Sequence, residues 1–398
     1  MTSIPAFSTL LDPAIGNILS RIRMTMASVG DKFPHWADTT TGEWTLTDDG
    51  DWTGGAWVGE LWLAARVTGD QTFSTAAHRW LDLMEPRVLL ETAFKGFGFY
   101  HAGALGYMLS GDTDARETAI RCAKHLSGMF DERLGLIPLG PSAEEGQNVG
   151  TTDSSIDSLQ ASPLLIWAAG ETQDAEMFKV AVAHTSRVLD IHIRDDGSVI
   201  QSSTLNPADG TVVRYHTHKG YSDSSTWARA QAWAILYAST MALAIPGSDV
   251  WIRQARRTAD WWIANVPEDG VSYWDFDDPD IPAAPRDTAG AAIVAAGLLR
   301  LAHLLGPGEG ERYREAAERS LATMLSEYLT PSDADDNRPA GILTAGCFTK
   351  RPDTRPHDKA TNVELIFGDY FLFESLCTLA GHVNVQELTP RIASPGVA

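Results

Sequence analysis

Thr68-Gly69-Asp70-Gln71-Thr72-Phe73-Ser74-Thr75-Ala76-Ala77 closes one apolar helical stretch and opens the next. Glycine suits the position just past a helix end, where a residue without Cβ takes positive φ at no cost. The aspartate suits the N-cap of the following helix, where its carboxylate accepts a backbone N–H. The arrangement recurs at Ser110-Gly111-Asp112-Thr113-Asp114-Ala115 and at Gly170-Glu171-Thr172-Gln173-Asp174-Ala175. Looser copies stand at Pro246-Gly247-Ser248-Asp249 and Gly306-Pro307-Gly308-Glu309. Each reads as the turn of an αα-hairpin. Ahead of the first and third, in Gly59-Glu-Leu-Trp-Leu-Ala-Ala-Arg-Val-Thr68 and Ser162-Pro-Leu-Leu-Ile-Trp-Ala-Ala-Gly-Glu171, apolar residues recur at three and four positions; strand-like alternation is scarce. Spacings of roughly 40 to 75 residues are too irregular for a stacked solenoid. They suit five or six hairpins around an axis, an all-α toroid. With no Ser/Gly- or Pro-rich linker dividing the chain, residues 1–398 are expected to form a single domain.

The chain has 398 residues with 31 Lys+Arg against 52 Asp+Glu, a formal net charge of −21. Without a basic footprint, nucleic acid and anionic membranes are excluded as general partners, and an anionic ligand must be held locally. Cys122, Cys347 and Cys377 are too few and too widely spaced for a disulfide framework or a zinc ribbon. No basic segment precedes an apolar stretch of signal length, and no 18 apolar residues run together. The expectation is a cytoplasmic protein with reduced thiols. CxxC, HExxH, Walker A, GxGxxG and GxSxG patterns are absent, so neither metal nor cofactor is expected, and carboxylate acid/base chemistry remains.

Between the hairpins lie polar, aromatic and Gly-rich stretches too long for mere turns. They include Phe33-Pro-His-Trp-Ala-Asp38, Asp51-Trp52-Thr53, Ser155-Ile156-Asp157-Ser158-Leu159, Ser224-Ser-Thr-Trp227-Ala-Arg229, Tyr273-Trp-Asp-Phe276 and Arg286-Asp287. Acids beside Trp and Arg suit a sugar site: aromatic faces cover the apolar side of a pyranose, and charged groups bond its hydroxyls or a uronate. The 13 Trp, about 3% of the chain, are a further sign of such walls. Asp157 stands equally well as a helix cap; Asp51 and Asp287 read better as caps than as catalysts. Arg229 suits a ligand carboxylate or an internal ion pair.

These residues also resemble a known family, the unsaturated glucuronyl hydrolases of glycoside hydrolase family 88. The resemblance runs in order from Gly30-Asp-Lys-Phe-Pro-His35 through Asp51-Trp-Thr-Gly-Gly-Ala-Trp57, Ile156-Asp157, Pro163-Leu-Leu-Ile-Trp167, Gly220 to Trp233, Val266 to Phe276, Arg286-Asp287 and Gly368-Asp-Tyr370. It implies an (α/α)6 barrel, in agreement with the hairpins, and a metal-free cytoplasmic enzyme. The substrate would be a small oligosaccharide whose non-reducing end is a 4,5-unsaturated uronate. The implied reaction hydrates the C4=C5 vinyl ether instead of attacking the anomeric carbon. By motif the acid/base is Asp157, expected to have raised proton affinity in an aromatic pocket. Trp52, Trp227 and Arg229 fall on pocket positions, and His218 in a His-x-Gly segment.

The departures concern the same pocket. The family's His-Asp-x-Gly-Phe motif, which supplies a second Asp, is here Lys95-Gly96-Phe97-Gly98-Phe99; a pocket His becomes Gln201, and the Gln of His-Gln-Gly becomes Lys219. With Lys95 and Lys219 both facing the site, the substrate would carry more negative charge than an ordinary unsaturated disaccharide. Asp153, four residues before Asp157, would sit one helical turn away and replace the missing acid. The alternatives are a different acid/base reaction on a uronate, such as elimination, or a non-catalytic sugar-binding relative.

Overall fold

The computed structural model describes residues 7–144, 150, 152–330, 341–355 and 358–392. It is predominantly helical. One set of segments is buried on almost every side: α2 (Gly54–Thr68), the run from α4 (Lys95–Phe99) through a π-helical turn (Tyr100–Ala104) to α5 (Leu105–Ser110), α7 (Ala161–Thr172), α9 (Ala228–Ala244), α11 (Thr288–Leu305) and α13 (Ile366–Leu379). Each packs on the next, and α13 returns to α2. Outside them lie α1 (Ser8–Ser28), α3 (Gln71–Leu83), α6 (Thr113–Ser127), α8 (Ala175–His192), α10 (Asp249–Asn265) and α12 (Glu311–Thr323), each against an inner partner.

The outer helices bury a stripe only. In α3 it is Phe73, Ala76, Ala77, Trp80 and Leu81, and in α12 Tyr313, Ala316, Ala317, Ser320 and Leu321. Both follow the i, i+3, i+4, i+7, i+8 spacing of one helical face. Helix α11 is long and apolar enough to cross a membrane by length and composition, but 78% of it is buried inside the protein, which makes it a core helix.

The turns form as their sequences dictate. Gly69 (φ 70°) and Gly111 (φ 77°) take the left-handed position, and Asp70 and Asp112 cap α3 and α6 through Thr72 N and Ala115 N. The third turn differs in one respect. Gly170 stays helical and Gln173 takes the left-handed position (φ 55°), while Asp174 caps α8 as expected.

The chain is not helical throughout. Among the described residues, two small antiparallel sheets occupy the long connections. One has the order β2-β1-β7-β6, from Trp44–Thr47, Phe33–Asp38, Thr361–Leu365 and Gly346–Cys347; the other is β3-β4-β5, from Ser154–Ser155, Ser202–Leu205 and Val212–His216. Strands of two to six residues are too short to show a periodicity, which is why β1 reads as a loop in the sequence.

Short turns join each inner segment to its outer partner, and the long connections lead from an outer helix to the next inner one. The inner helices therefore run parallel, and their N-termini and the sheets share one end. Trp52, Asp157, Trp227 and Asp287 all lie just ahead of an inner helix. The positive ends of several helix dipoles converge there, which favours an anion despite the overall charge.

Candidate active site

Asp157 lies in the 3-10 turn Ile156–Gln160 that leads into α7. It does not cap that turn. Ser155 does, accepting from Asp157 N at 3.3 Å, and its Oγ donates back to Asp157 Oδ2 at 2.6 Å. The carboxylate is almost fully buried.

Gln201, at the entry to β4, organises the next layer. Its Oε1 accepts from Thr217 Oγ1 at 2.7 Å, His218 N at 3.2 Å and Lys219 N at 3.0 Å. Three donors on one oxygen fix the amide orientation. The amide nitrogen then donates to Asp157 Oδ2 and to His218 Nε2, each at 3.2 Å. His218 Nε2 must accept, so its proton resides on Nδ1, which contacts Ser202 Oγ at 3.0 Å. The network holds a neutral imidazole beside a carboxylate.

The walls are aromatic. Trp52 packs 5.1 Å from Phe367, 5.8 Å from Phe97 and 6.2 Å from Phe348, centroid to centroid. Among the described residues, the indole N–H groups of Trp52 and Trp227 meet no acceptor. Such walls offer flat apolar faces with donors at their edges, which is what a pyranose needs.

The chain is 32% identical over 372 residues to the unsaturated glucuronyl hydrolase of Bacillus sp. GL1, covering 92% of this chain and 96% of that protein.

The chain belongs to the unsaturated glucuronyl hydrolase family.

The Formosa agariphila unsaturated glucuronyl hydrolase is 31% identical, over 82% of this chain and 79% of that protein. Among solved structures, the Bacillus sp. GL1 enzyme described as responsible for degradation of glycosaminoglycan superimposes with a TM-score of 0.85 at 31% identity, covering 93% of this chain and 96% of that one. A second structure of the family, named with the saccharide dGlcA-Glc-Rha-Glc, gives the same TM-score of 0.85 and 31% identity over 92% of this chain and 96% of that one. No family model matches the chain.

Membership does not decide where each side chain points, and several sequence expectations need correction. Lys95 does not face Asp157. Its Nζ donates to Val88 O at 3.1 Å and Leu90 O at 2.9 Å and meets His125 Nδ1, on the side of α6. Lys219 stays near the site, since its backbone N–H bonds Gln201, but its ammonium pairs with Asp358 Oδ2 at 2.9 Å and lies 4.7 Å over Phe348. The two lysines therefore add no uncompensated pair of charges to the pocket. Asp153 is not one turn from Asp157. It precedes an extended strand, and its carboxylate accepts from Gly150 N and Thr204 Oγ1, each at 3.2 Å, with His216 Nε2 3.4 Å away. No room exists at position 96 either: a Cβ on Gly96 would lie 2.4 Å from Ala161 Cα and 2.6 Å from Gln160 O.

Arg229 sits in the wall. It donates to Asp287 Oδ2 at 2.7 Å and Cys347 O at 2.5 Å, reaches Phe348 O, and lies 4.6 Å from the Trp227 ring. Burial pushes the Asp287 carboxyl up, and Arg229 opposes that. Asp275, in the Tyr273-Trp-Asp-Phe276 stretch, ties down a loop: it accepts from Tyr221 N at 2.8 Å and Ser225 Oγ at 2.7 Å. Most of the tryptophans belong to the core; Trp57, Trp62, Trp80, Trp233, Trp262 and Trp274 are fully buried. Trp52 and Trp227 are buried too, at 7% and 3% exposure, beside Phe348 and Arg229 respectively.

Sequence reasoning missed Ser155, Ser202 and Asp358. Ser155 carried a local signal, a Ser two residues before an Asp, the spacing of a side chain that bonds its own turn. Asp358 carried none, being 139 positions from Lys219. A cavity of about 710 Å³ lined by Leu299, His303, Pro307, Arg314 and Val385 lies at the other end of the inner helices, away from these residues.

Proposed function

We propose that this chain hydrolyses small saccharides that end in a 4,5-unsaturated uronate, by hydrating the C4=C5 vinyl ether with Asp157 as acid and then base. Asp157 gives its proton to C4, and positive charge develops at C5 and the ring oxygen. Water adds at C5 and returns a proton to Asp157. The resulting hemiketal opens to a C5 ketone, and the hemiacetal left at C1 releases the remaining sugar as an alcohol. One water is consumed and the carboxyl is regenerated.

The observation that carries this reading is the setting of Asp157: a buried carboxyl with Ser155 and Gln201 on one oxygen, linked through Gln201 to His218. A glycosidase that attacks the anomeric carbon needs two carboxyls about 5 to 10 Å apart across the bond, whereas hydration of a vinyl ether needs one that changes protonation state. Family membership supports the same substrate class. In this reading Trp52 and Trp227 form the walls, Gln201 orients Asp157 and His218, and Arg229 holds the wall in place. We also infer that the closed succession of inner and outer helices is an (α/α)6 barrel.

The test is hydrolysis in D2O of a lyase-generated unsaturated disaccharide. Deuterium at C4 of the released uronate is expected. An intact vinyl ether with every unsaturated substrate overturns the reading, and so does cleavage that leaves the uronate free of deuterium.

A further inference from the structure

Ser155 and Gln201 reach the same oxygen of Asp157. Ser155 Oγ lies 2.6 Å from Oδ2, and the Gln201 amide nitrogen 3.2 Å from it. The amide can only donate there, because its carbonyl oxygen accepts from Thr217 Oγ1, His218 N and Lys219 N. Ser155 Oγ accepts from Asp157 N at 3.3 Å and gives its own proton to Oδ2.

Both donors are held by the surrounding backbone. Strands β3 and β4 pair Ser155 with Ser202 and Ser154 with Ser203, and Ile156 N donates to Gln201 O at 2.8 Å. His192 of α8 bridges the two strands one residue ahead of each donor. Its Nδ1 donates to Ile200 O and its Nε2 accepts from Ser154 Oγ, each at 2.9 Å. His184, on the same helix, donates to Ser158 O at 2.8 Å and accepts from Ile137 N at 3.1 Å. Burial pushes His184 down to about 4 and His192 to about 3, so both stay neutral near pH 7. On the other elements packed against the turn, Lys95 of α4 points to Val88 O and Leu90 O, and Glu171 of α7 pairs with Arg116. Arg229 of α9 pairs with Asp287, and Tyr237 of that helix is buried.

We propose that Ser155 is a positioning residue that, together with Gln201, decides which oxygen of Asp157 carries the transferable proton, and that this oxygen is Oδ1. The hydroxyl oxygen of a carboxylic acid is a poor acceptor and its carbonyl oxygen a good one. Two donors on Oδ2 therefore keep Oδ2 as the carbonyl, and the proton sits on Oδ1. In the proposed reaction the Oδ1–H bond breaks as the C4–H bond forms, and Oδ1 takes a proton back from the water that adds at C5. Oδ2 keeps its two donors throughout, and they stabilise the carboxylate left after the first transfer. One carboxyl then serves as acid and as base in a site that has no space for a second at Gly96.

The inference rests on Asp157 being the reacting group. Ser155→Ala removes one donor, and Ser155→Cys keeps a side chain of similar shape that donates only weakly. The infrared C=O band of protonated Asp157, assigned by its loss in the matching Asp157→Asn proteins, should move to higher frequency in both variants, because that carbonyl is Oδ2. Its titration midpoint, read without substrate, should rise by about one pH unit with the loss of a donor to the charged form. Activity needs protonated Asp157, so kcat/KM falls as pH rises through its pKa, and this alkaline limb should move up with the midpoint. A C=O frequency that stays at the wild-type value in both variants would put the carbonyl on Oδ1 and overturn the inference. Titrations that coincide with wild type overturn it too, whatever happens to the melting temperature. Both infrared shifts in a protein inactive on every unsaturated saccharide would sustain Ser155 and overturn the proposed reaction instead.

Discussion

The amide nitrogen of Gln201 is 3.2 Å from Asp157 Oδ2 and 3.2 Å from His218 Nε2, so one side chain that does not titrate links two that do. Gln201→Glu should keep the acceptor for Thr217, His218 N and Lys219 N and place a second carboxyl against Asp157. Like charges at that range raise proton affinity. The alkaline limb of kcat/KM should therefore move to higher pH; a pH–rate profile that matches wild type contradicts the assigned network.

Gln201→Leu removes both functions of the amide. The acceptor of three buried donors is lost, and an unsatisfied buried donor costs about 1–3 kcal/mol. Urea unfolding should show a loss of at least about 2 kcal/mol, together with a fall in kcat. Full stability in this variant would mean that the loop at Thr217 to Lys219 does not depend on Gln201.

Lys219 and Asp358 form a buried pair at 2.9 Å, with side chains 3% and 1% exposed, and Arg355 Nη2 donates to the same carboxylate at 2.9 Å. Removing one member of such a pair leaves a buried charge and typically costs 3–5 kcal/mol, about the expected loss for Asp358→Asn. Denaturant midpoints measure it. A loss well below about 1 kcal/mol would place the pair in solvent.

Gly96→Ala should destabilise the protein by about 1–3 kcal/mol, since the new Cβ meets the backbone of Ala161 and Gln160, which cannot swing aside as a flexible side chain would. Gly96→Asp should be worse and should not add a second acid to the site. Thermal melts of the two variants decide this, and a stable, more active Gly96→Asp would show that the gap between the run at Lys95 and α7 opens.

Burial lowers Lys95 to about 8. In the unfolded chain the amine titrates near 10.4. Between those values the unfolded state binds the extra proton, so Lys95 contributes rising stability from about pH 8 upward, and below that its buried charge is a penalty. Lys95→Met should flatten this part of the stability profile and leave kcat/KM nearly unchanged. A large loss of activity at full stability would return Lys95 to the pocket.

Local chemistry was legible in the sequence. The turns at Gly69-Asp70 and Gly111-Asp112 are decided by a few neighbouring residues, and they form as read. Asp157 meets His218 through Gln201, and Trp52 is linked to Trp227 through Phe348 and Arg229, because their motifs precede inner helices or close a sheet at one end of the fold. The strands were not legible, since β3 and β6 have two residues each and are held by partners distant in the chain. Side-chain direction was not legible either. Lys95 turns toward carbonyls at Val88 and Leu90, and Lys219 toward Asp358, through contacts that no spacing in the sequence encodes.

The most direct test of the account compares wild type with Asp157→Asn on a lyase-generated unsaturated disaccharide, following the vinyl-ether absorbance. Asparagine preserves shape and removes the transferable proton, so wild type should bleach the band and the variant should lose at least about a thousandfold in rate while melting normally, since acid and base roles fall on one group and each is worth 10²–10⁴. Equal bleaching by both proteins would contradict the assignment of the reaction to Asp157.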